Sequence, residues 1–405
     1  MKNELTPIDD ALKNLLGGLQ LVTGTEVVEL AHTVNRIVAA DLVAPVDVPG
    51  SDNSAMDGYA VTTADLKTIP ILMPVSQRIA AGSVGESLTP ATAARIFTGA
   101  PLPGRADAVV MQENCEISEG SVTVLQKVTA GENVRKAGED ISEGAIIFTA
   151  GHRIRVQDMS ALASSGIATL KVRRKLKVAV LTTGDELVRP GALLGPGKIY
   201  NSNYYAIASA LKALGMEVVD LGIVADDLDS TIASLKLAAS KADCIISSGG
   251  VSVGEEDHVK EAVVALGQLE LWKIAIKPGK PFAYGSVLGK PFFGLPGNPV
   301  SAIVTLALLV KPALLTLSGA RVIAGASYQL PAGFKFSTTG ERQQYLRVVR
   351  RSRALHGPDL ILFSSQSSGV GYSLSAADGL AVVPPFTSVD EGDMLTFLPF
   401  TELLA

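Results

Sequence analysis

Apolar and polar positions change rhythm several times along the chain. The spacing Ile8, Leu12, Leu15, Leu16, Leu19 follows the helical repeat, which predicts an opening amphipathic helix and then a packed connection to about Ala40. Between Val46 and about Gly138, short apolar stretches such as Arg95-Ile96-Phe97-Thr98 and Ala108-Val109-Val110-Met111 alternate with Gly, Pro and Asp turn signals. That is the pattern of a compact β-rich unit. A helix is expected over Arg155 to Gly166, packed beside the first one, so that the β unit is an insertion in one small domain. From Lys177 the alternation becomes regular. Strands at Val178 to Thr182, Glu217 to Val224 and Cys244 to Ser248 interleave with helices at Ser202 to Leu214, Ser230 to Lys241 and Asp257 to Leu266, which predicts a doubly wound α/β domain on a parallel sheet. Segments Leu271 to Ile276, Phe282 to Ser286 and Pro291 to Leu295 are expected to continue that sheet, and Pro299 to open the last helix. Beyond about Gly319 the runs Gln344 to Val349, Leu360 to Phe363, Gly379 to Val383 and Met394 to Leu398 predict a small all-β C-terminal domain, with no internal repeat.

The longest apolar run, Val300 to Val310, is broken by Lys311 and Pro312, short of the roughly 20 residues that a membrane-spanning helix needs. It reads as a buried core helix, and no membrane partner is expected. At 405 residues, with 47% apolar and 19% charged positions, the chain is long enough for two to four globular domains. A formal charge of −5 without a basic run argues against a nucleic-acid partner. Cys115 and Cys244 are the only cysteines, too few for a disulfide framework and not in metal-ligand spacing with the histidines. A reducing cytoplasm is the expected setting.

Ligands of open α/β sheets gather beyond the carboxyl ends of the strands, and those ends are polar here: Thr182-Thr183-Gly184-Asp185-Glu186, Ala225-Asp226-Asp227, and Ser247 through Gly254 to Asp257. Gly249, Gly250 and Gly254 can turn N–H groups toward a phosphate, with Ser247, Ser248 and Ser252 as hydroxyl donors; a tight turn alone would need the glycines equally. Lys277-Pro278-Gly279-Lys280-Pro281 sets two ammonium groups on a stiffened loop, read as phosphate neutralisation, although two solvated surface lysines would fit the same spacing. Gly294-Leu295-Pro296-Gly297-Asn298-Pro299-Val300-Ser301 offers Asn298 and Ser301 to an anion, although a helix cap needs only Asn298. Any one of Asp185, Glu186, Asp226, Asp227 and Asp257 reads as a solvated acid or a helix cap, but as a group beside phosphate they call for an oxygen-ligated divalent cation, Mg²⁺. Two more polar turns, Asp52 to Ala60 and Lys136 to Ile141, have partners that spacing does not identify.

These motifs together resemble the molybdopterin molybdenumtransferase (MoeA) family, related to the E domain of gephyrin. The carrying stretches are PVDVPGSDNSAMDGYAV from Pro45, FTGAPLPGRADAVVMQE from Phe97, GEDI from Gly138, TTGDEL from Thr182, ISSGGVSVGEEDH from Ile246, IKPGKPFAYG from Ile276 and GLPGNPVSA from Gly294. The resemblance implies that adenylyl-molybdopterin and molybdate yield molybdenum cofactor and AMP, with Mg²⁺ required. It implies four domains: 1–45 with 141–176 as a discontinuous helical linking domain, 46–140 as the β-rich insertion, 177–320 as the molybdopterin-binding α/β domain, and 321–405 as a β-barrel-like domain. A homodimer with an intersubunit active site and hand-over from molybdopterin adenylyltransferase also follow from it.

By position, the resemblance makes Asp57, Asp140, Glu186, Asp226, Asp257, Lys277 and Lys280 the catalytic set. Thr98, Gly99, Ser248, Gly249, Gly250, Ser252, Pro296 and Asn298 become substrate contacts. Lys280, Pro281, Ser301, Arg347 and Ser368 would meet molybdate, and Asp185, Glu186, Asp226 and Asp257 Mg²⁺. No protein nucleophile is required, because the dithiolene sulfurs of the substrate take up the metal. The alternatives are molybdopterin adenylyltransferase, whose domain resembles Lys177 to Ser318, and a non-catalytic scaffold of the gephyrin kind.

Overall fold

The computed structural model describes residues 5–22, 24–250, 258–323, 325–352 and 357–404. They form two compact units: Val27–Val34 with Val38–Lys171, and Met1–Glu26 with Asn35–Ile37 and Val172–Ala405.

The larger unit is built on a six-stranded sheet whose strands we label β1 Lys177–Thr183, β2 Glu217–Val224, β3 Cys244–Ser248, β4 Gly267–Lys273, β5 Pro281–Val287 and β6 Lys290–Leu295, with helices α1 Ser202–Ala213, α2 Leu228–Lys241 and α3 His258–Leu266. Successive side chains of a strand face opposite ways, and here both faces are covered. Val178 and Val180 join Ile207, Leu211, Ile246 and Val300 in one buried cluster, while Ala179 and Leu181 join Leu235, Ala238, Ile245 and Val259 in the other.

The sheet order is β2-β1-β3-β6-β5-β4. The first four strands are parallel, but β5 pairs antiparallel with both β6 and β4, so the expected all-parallel sheet is mixed. Connection length is the reason. Parallel neighbours need a crossover of a dozen or more residues, whereas only Leu288 and Gly289 separate β5 from β6, both at positive φ (48° and 76°). That is the tight hairpin geometry matching strand twist. The expected strand from Leu271 to Ile276 is likewise replaced: β4 follows α3 without a loop, and Ile276–Lys277 leaves the sheet to pair with Gln343–Arg351.

Helix does begin at Pro299, but it does not stop at the Lys311-Pro312 step. Pro299–Thr305, a π-helical turn at Leu306–Val310 and Lys311–Leu317 follow one another without a break. A proline inside a helix lacks an N–H and crowds the preceding turn, and the wider π turn just before Pro312 takes up that misfit. The helix is buried over most of its length. Ala11 and Leu15 of the opening helix, Ile8–Gly17, lie in the same cluster as Leu309, Val310, Ala313 and Leu317. The opening helix therefore packs on this core helix; the helix expected over Arg155 to Gly166 is present as Asp158–Ser164.

Strands Gln343–Arg351, Gly379–Val383, Met394–Pro399 and Tyr328–Pro331 follow Ile276–Lys277 in a second sheet, with Asp359–Leu362 also pairing to Gln343–Arg351. Phe334, Leu346, Val348, Leu360 and Phe397 fill its core. The smaller unit carries the expected β structure: Ala108–Met111, Gly58–Val61, Ala93–Ile96, Ile71–Ile79, Ser121–Val124 and Cys115–Ser118 lie side by side in that order.

Candidate active site

Register brings the predicted loops together at one end of the α/β sheet. Thr182 pairs with Ser248, and Ser248 with Leu295, so the turns after β1, β3 and β6 emerge side by side. Gly249 and Gly250 have φ of 93° and 67°. A methyl group on Gly249 would meet the Thr183 carbonyl at 3.0 Å, and one on Gly250 would meet Val259 at 2.3 Å. Both glycines are thus demanded by conformation and by close approach.

The serines expected as ligand donors are placed otherwise. Ser247 is wholly buried, and no described group pairs with its hydroxyl. Ser248 is buried too; its hydroxyl accepts from Asn203 Nδ2 (2.9 Å) and donates to the Pro296 carbonyl (3.3 Å). The reason is that both belong to β3, a central strand covered on both faces. Val251–Asp257, including Ser252 and the acid Asp257, lie outside the described residues.

Around this end the acids are exposed. Asp185 Oδ1 accepts from Asp226 N–H (3.3 Å), joining the β1 and β2 loops, and Lys198 Nζ donates to the Asp185 carbonyl. Gly184 has φ of 137°, and its missing side chain leaves room for the Glu186 carboxylate, which a methyl group would meet at 2.5 Å. Asp227 instead caps α2, accepting from Ser230 N–H (2.8 Å), and that bond holds its carboxyl below the usual range. Among the described residues no group of three acidic, His or Cys side chains converges as metal ligands would. The described acids do not by themselves fit a divalent cation.

Lys277 and Lys280 are exposed and Pro281 is half-buried. Between the lysines, Gly279 (φ 114°) presses on the core helix, where an added methyl would stand 2.7 Å from Thr305 Oγ1. Ser301 lies on that helix one turn before Thr305 and is buried, whereas Asn298 at the helix start is exposed and makes no side-chain cap. Pro296 is buried. The backbone N–H of Val300 donates to the Ser368 carbonyl (3.1 Å), bringing the Ser365 to Ser368 turn to the helix start. Arg347 organises that turn from inside. Only 1% exposed, it donates to the carbonyls of Ser365 (3.2 Å) and Ser367 (2.9 Å) and to Ser373 Oγ (3.2 Å). Its guanidinium builds the turn that presents Ser368.

The smaller unit joins the two polar turns whose partners spacing left open. Strand Asn53–Ser54 pairs with Val134–Arg135, Lys136 Nζ meets Asp52 Oδ2 at 2.7 Å, and Ala137 N–H donates to Asp52 Oδ1 (2.9 Å). Asp57 Oδ1 accepts from the backbone N–H and the hydroxyl of Thr98, both at 2.8 Å. Those two bonds, the backbone one foremost, lower its carboxyl below the usual range although it is exposed. Gly99 takes φ of 80° to close this turn and donates to the Ser54 carbonyl (2.8 Å). Asp140 is exposed, its N–H bonded to the Val48 carbonyl (2.9 Å).

Two residues of the larger unit had no prior signal beyond a helix-start position. Asn201 caps α1 at Tyr204 N–H (3.3 Å) and donates to Thr182 Oγ1 (2.7 Å). Asn203 donates to Ser248 Oγ and to the Gly297 carbonyl (2.7 Å).

Three family descriptions match in succession: "MoeA N-terminal region (domain I and II)" at residues 6–166, "Probable molybdopterin binding domain" at 179–316 and "MoeA C-terminal region (domain IV)" at 329–400. A molybdopterin molybdenumtransferase of Haemophilus influenzae is 43% identical over 313 residues, 77% of this chain and 78% of its own. One from Nostoc sp. is 34% identical over 385 residues, 92% and 87% of the two chains. A crystal structure of a molybdopterin biosynthesis MoeA protein from Pyrococcus horikoshii aligns with a TM-score of 0.78 at 34% identity, covering 98% of this chain and 99% of that one.

Proposed function

This chain belongs to the molybdopterin molybdenumtransferase (MoeA) family, and on that premise we infer that it inserts molybdate-derived molybdenum into adenylyl-molybdopterin with release of AMP. The observation carrying the reading is the presence in one chain of both the anion-facing loops of the α/β sheet and the Asp57–Thr98 and Asp52–Lys136 turns. An adenylyltransferase needs only the former.

Phosphoanhydride cleavage builds negative charge on phosphate oxygens, and molybdate is itself an oxyanion, so cations and donors fixed in advance lower the barrier. Lys277 and Lys280 supply two exposed ammonium groups on a loop braced by Gly279 against the core helix. Lys280, Pro281, Ser301 and Ser368 line the molybdate position in this reading, and Arg347 serves it by holding the Ser368 turn. Gly249, Gly250, Pro296 and Asn298 border the phosphate, with Thr98 and Gly99 contributing through the Asp57 turn. Asp57, Asp140, Glu186, Asp226 and Asp257 form the acidic set; Asp57 is kept charged and aimed by Thr98. The chain needs no nucleophile of its own, and its thiols suit none: burial pushes Cys115 up to about 11 and Cys244 further, and a protonated thiol is unreactive.

Magnesium is expected both from the acids at the strand ends and from the family resemblance, although the acids among the described residues do not converge as metal ligands would. We take the assembly to be a homodimer in which Asp57 and Asp140 of one subunit serve the α/β loops of the other, supplied by molybdopterin adenylyltransferase. Two free cysteines support a cytoplasmic setting. The four-domain division stays our reading, and the bridge between Ala332 and Leu360 supports a barrel-like C-terminal domain.

The test is AMP release from adenylyl-molybdopterin on adding molybdate to the purified protein. Formation of adenylyl-molybdopterin from ATP, with no molybdate-dependent AMP release, would instead make the chain an adenylyltransferase.

A further inference from the structure

One side chain ties the two anion-facing turns together and belongs to neither. Asn203, in the first turn of α1, gives one amide hydrogen to Ser248 Oγ (2.9 Å) and the other to the Gly297 carbonyl (2.7 Å). A carbonyl only accepts, so the Gly297 contact fixes which way the amide points: nitrogen toward the turns, Oδ1 away from them. Ser248 relays the tie by donating to the Pro296 carbonyl (3.3 Å).

The neighbouring strands cannot do this work. β3 and β6 are in register only as far as Ser248 opposite Leu295, with a last backbone bond from Gly249 N–H to the Leu295 carbonyl (3.2 Å). Past that point no ladder among the described residues holds one turn against the other, although they run close enough that a methyl on Gly297 would lie 3.9 Å from Gly249 Cα. Asn203 is itself anchored from below. Asn201, at the head of the same helix, bonds Thr182 Oγ1 (2.7 Å), so the position of α1 is referred back to the end of β1. Ends of three strands are therefore coupled through one helix start, and the coupling passes through Asn203.

We propose that Asn203 is a positioning residue: it sets the gap between the Ser248–Gly250 turn and the Pro296–Asn298 turn, and through that gap the fit of the substrate's phosphate. This rests on the reading above, in which the AMP portion lies against those turns. Displacing a bound group by about 1 Å costs on the order of 100-fold in rate, and without Asn203 the side-chain tie described between the turns falls to the longer Ser248 to Pro296 bond (3.3 Å).

The variants are Asn203→Ala and Asn203→Asp. The first removes both donors. The second keeps the shape, but a carboxylate donates only when protonated, so at neutral pH it opposes the Gly297 carbonyl with charge. Calorimetric titration with AMP and kcat/KM for molybdate-dependent AMP release are both expected to fall by about 10- to 100-fold in each variant at pH 7.5, with the thermal midpoint close to that of the unmodified protein. The decisive reading is the ratio of AMP affinities, Asp variant over Ala variant, between pH 7.5 and 5. It should rise as pH falls, because protonation restores a donor in one variant only; the ionisation of AMP itself cancels in the ratio. A flat ratio, or AMP affinity unchanged in both, overturns the assignment. If the unmodified protein binds no AMP and releases none, the functional reading falls first and this inference with it.

Discussion

Asp57 is an exposed acid that two bonds from Thr98 keep ionised and pointed in one direction. Asp57→Ala should lower molybdate-dependent AMP release by on the order of 1,000-fold with an unchanged thermal midpoint, and Thr98→Val, which removes one of the two bonds, by roughly 10-fold; near-normal turnover in the alanine variant would strike Asp57 from the catalytic set. Asp158 makes a different case, for stability. Burial pushes its carboxyl up, but hydrogen bonds from the Arg155 side chain and N–H and from His152 outweigh that and hold it at about 2. The folded value lies below the unfolded one, so the contribution, about 2 kcal/mol, is present above pH 4 and lost as pH falls toward 2. Urea denaturation from pH 7 to pH 2.5 should show that loss, and Asp158→Asn should start lower and lose less. At this scale the placement of Asp185, Glu186 and Asp226 just beyond strand ends, where chemistry gathers, was legible. Ser247 and Ser248 were placed in their strand but expected as ligand donors because a glycine pair follows them, whereas both hydroxyls are buried at the end of a strand covered on each face. Asn203 left no mark at all: its role depends on which two turns lie within reach, and spacing does not record that.

Elements were readable wherever rhythm and turn chemistry agreed. The alternation from Lys177 to Leu266 is reproduced strand by helix, while the antiparallel hairpin of β5 and β6 was missed although its two-residue turn was in plain view. The core helix ran past its apparent stop because a π turn absorbs Pro312, a backbone adjustment with no residue signature of its own. The lysine loop is the element whose shape most depends on one residue. Gly279→Ala would place a methyl 2.7 Å from Thr305 Oγ1 at φ of 114°, at a cost of about 1–3 kcal/mol. Urea denaturation should report that cost, and kcat/KM should fall with it, because either the loop or the helix carrying Ser301 must move. Gly250→Ala, facing Val259 at 2.3 Å, should behave alike.

On the scale of the molecule, each site of the proposed dimer combines the Asp57 turn of one subunit with the lysine loop of the other. Mixing inactive Asp57→Ala and Lys280→Ala proteins under exchange conditions should therefore restore about a quarter of the normal AMP release, since half the dimers are mixed and one of their two sites is intact. Activity that stays at the level of the separate variants would mean that each subunit works alone. The opening helix carries one further consequence, for how the chain is made. Its packing partners, Leu309, Val310, Ala313 and Leu317, lie far along the chain from it, and at roughly 5–20 residues per second a ribosome needs tens of seconds to pass from one to the other. Throughout that interval the face of Leu15 lacks the core helix it packs on. Synthesis thus leaves an apolar helix face open on the nascent chain until the core helix arrives, a window in which a holding chaperone has most to offer.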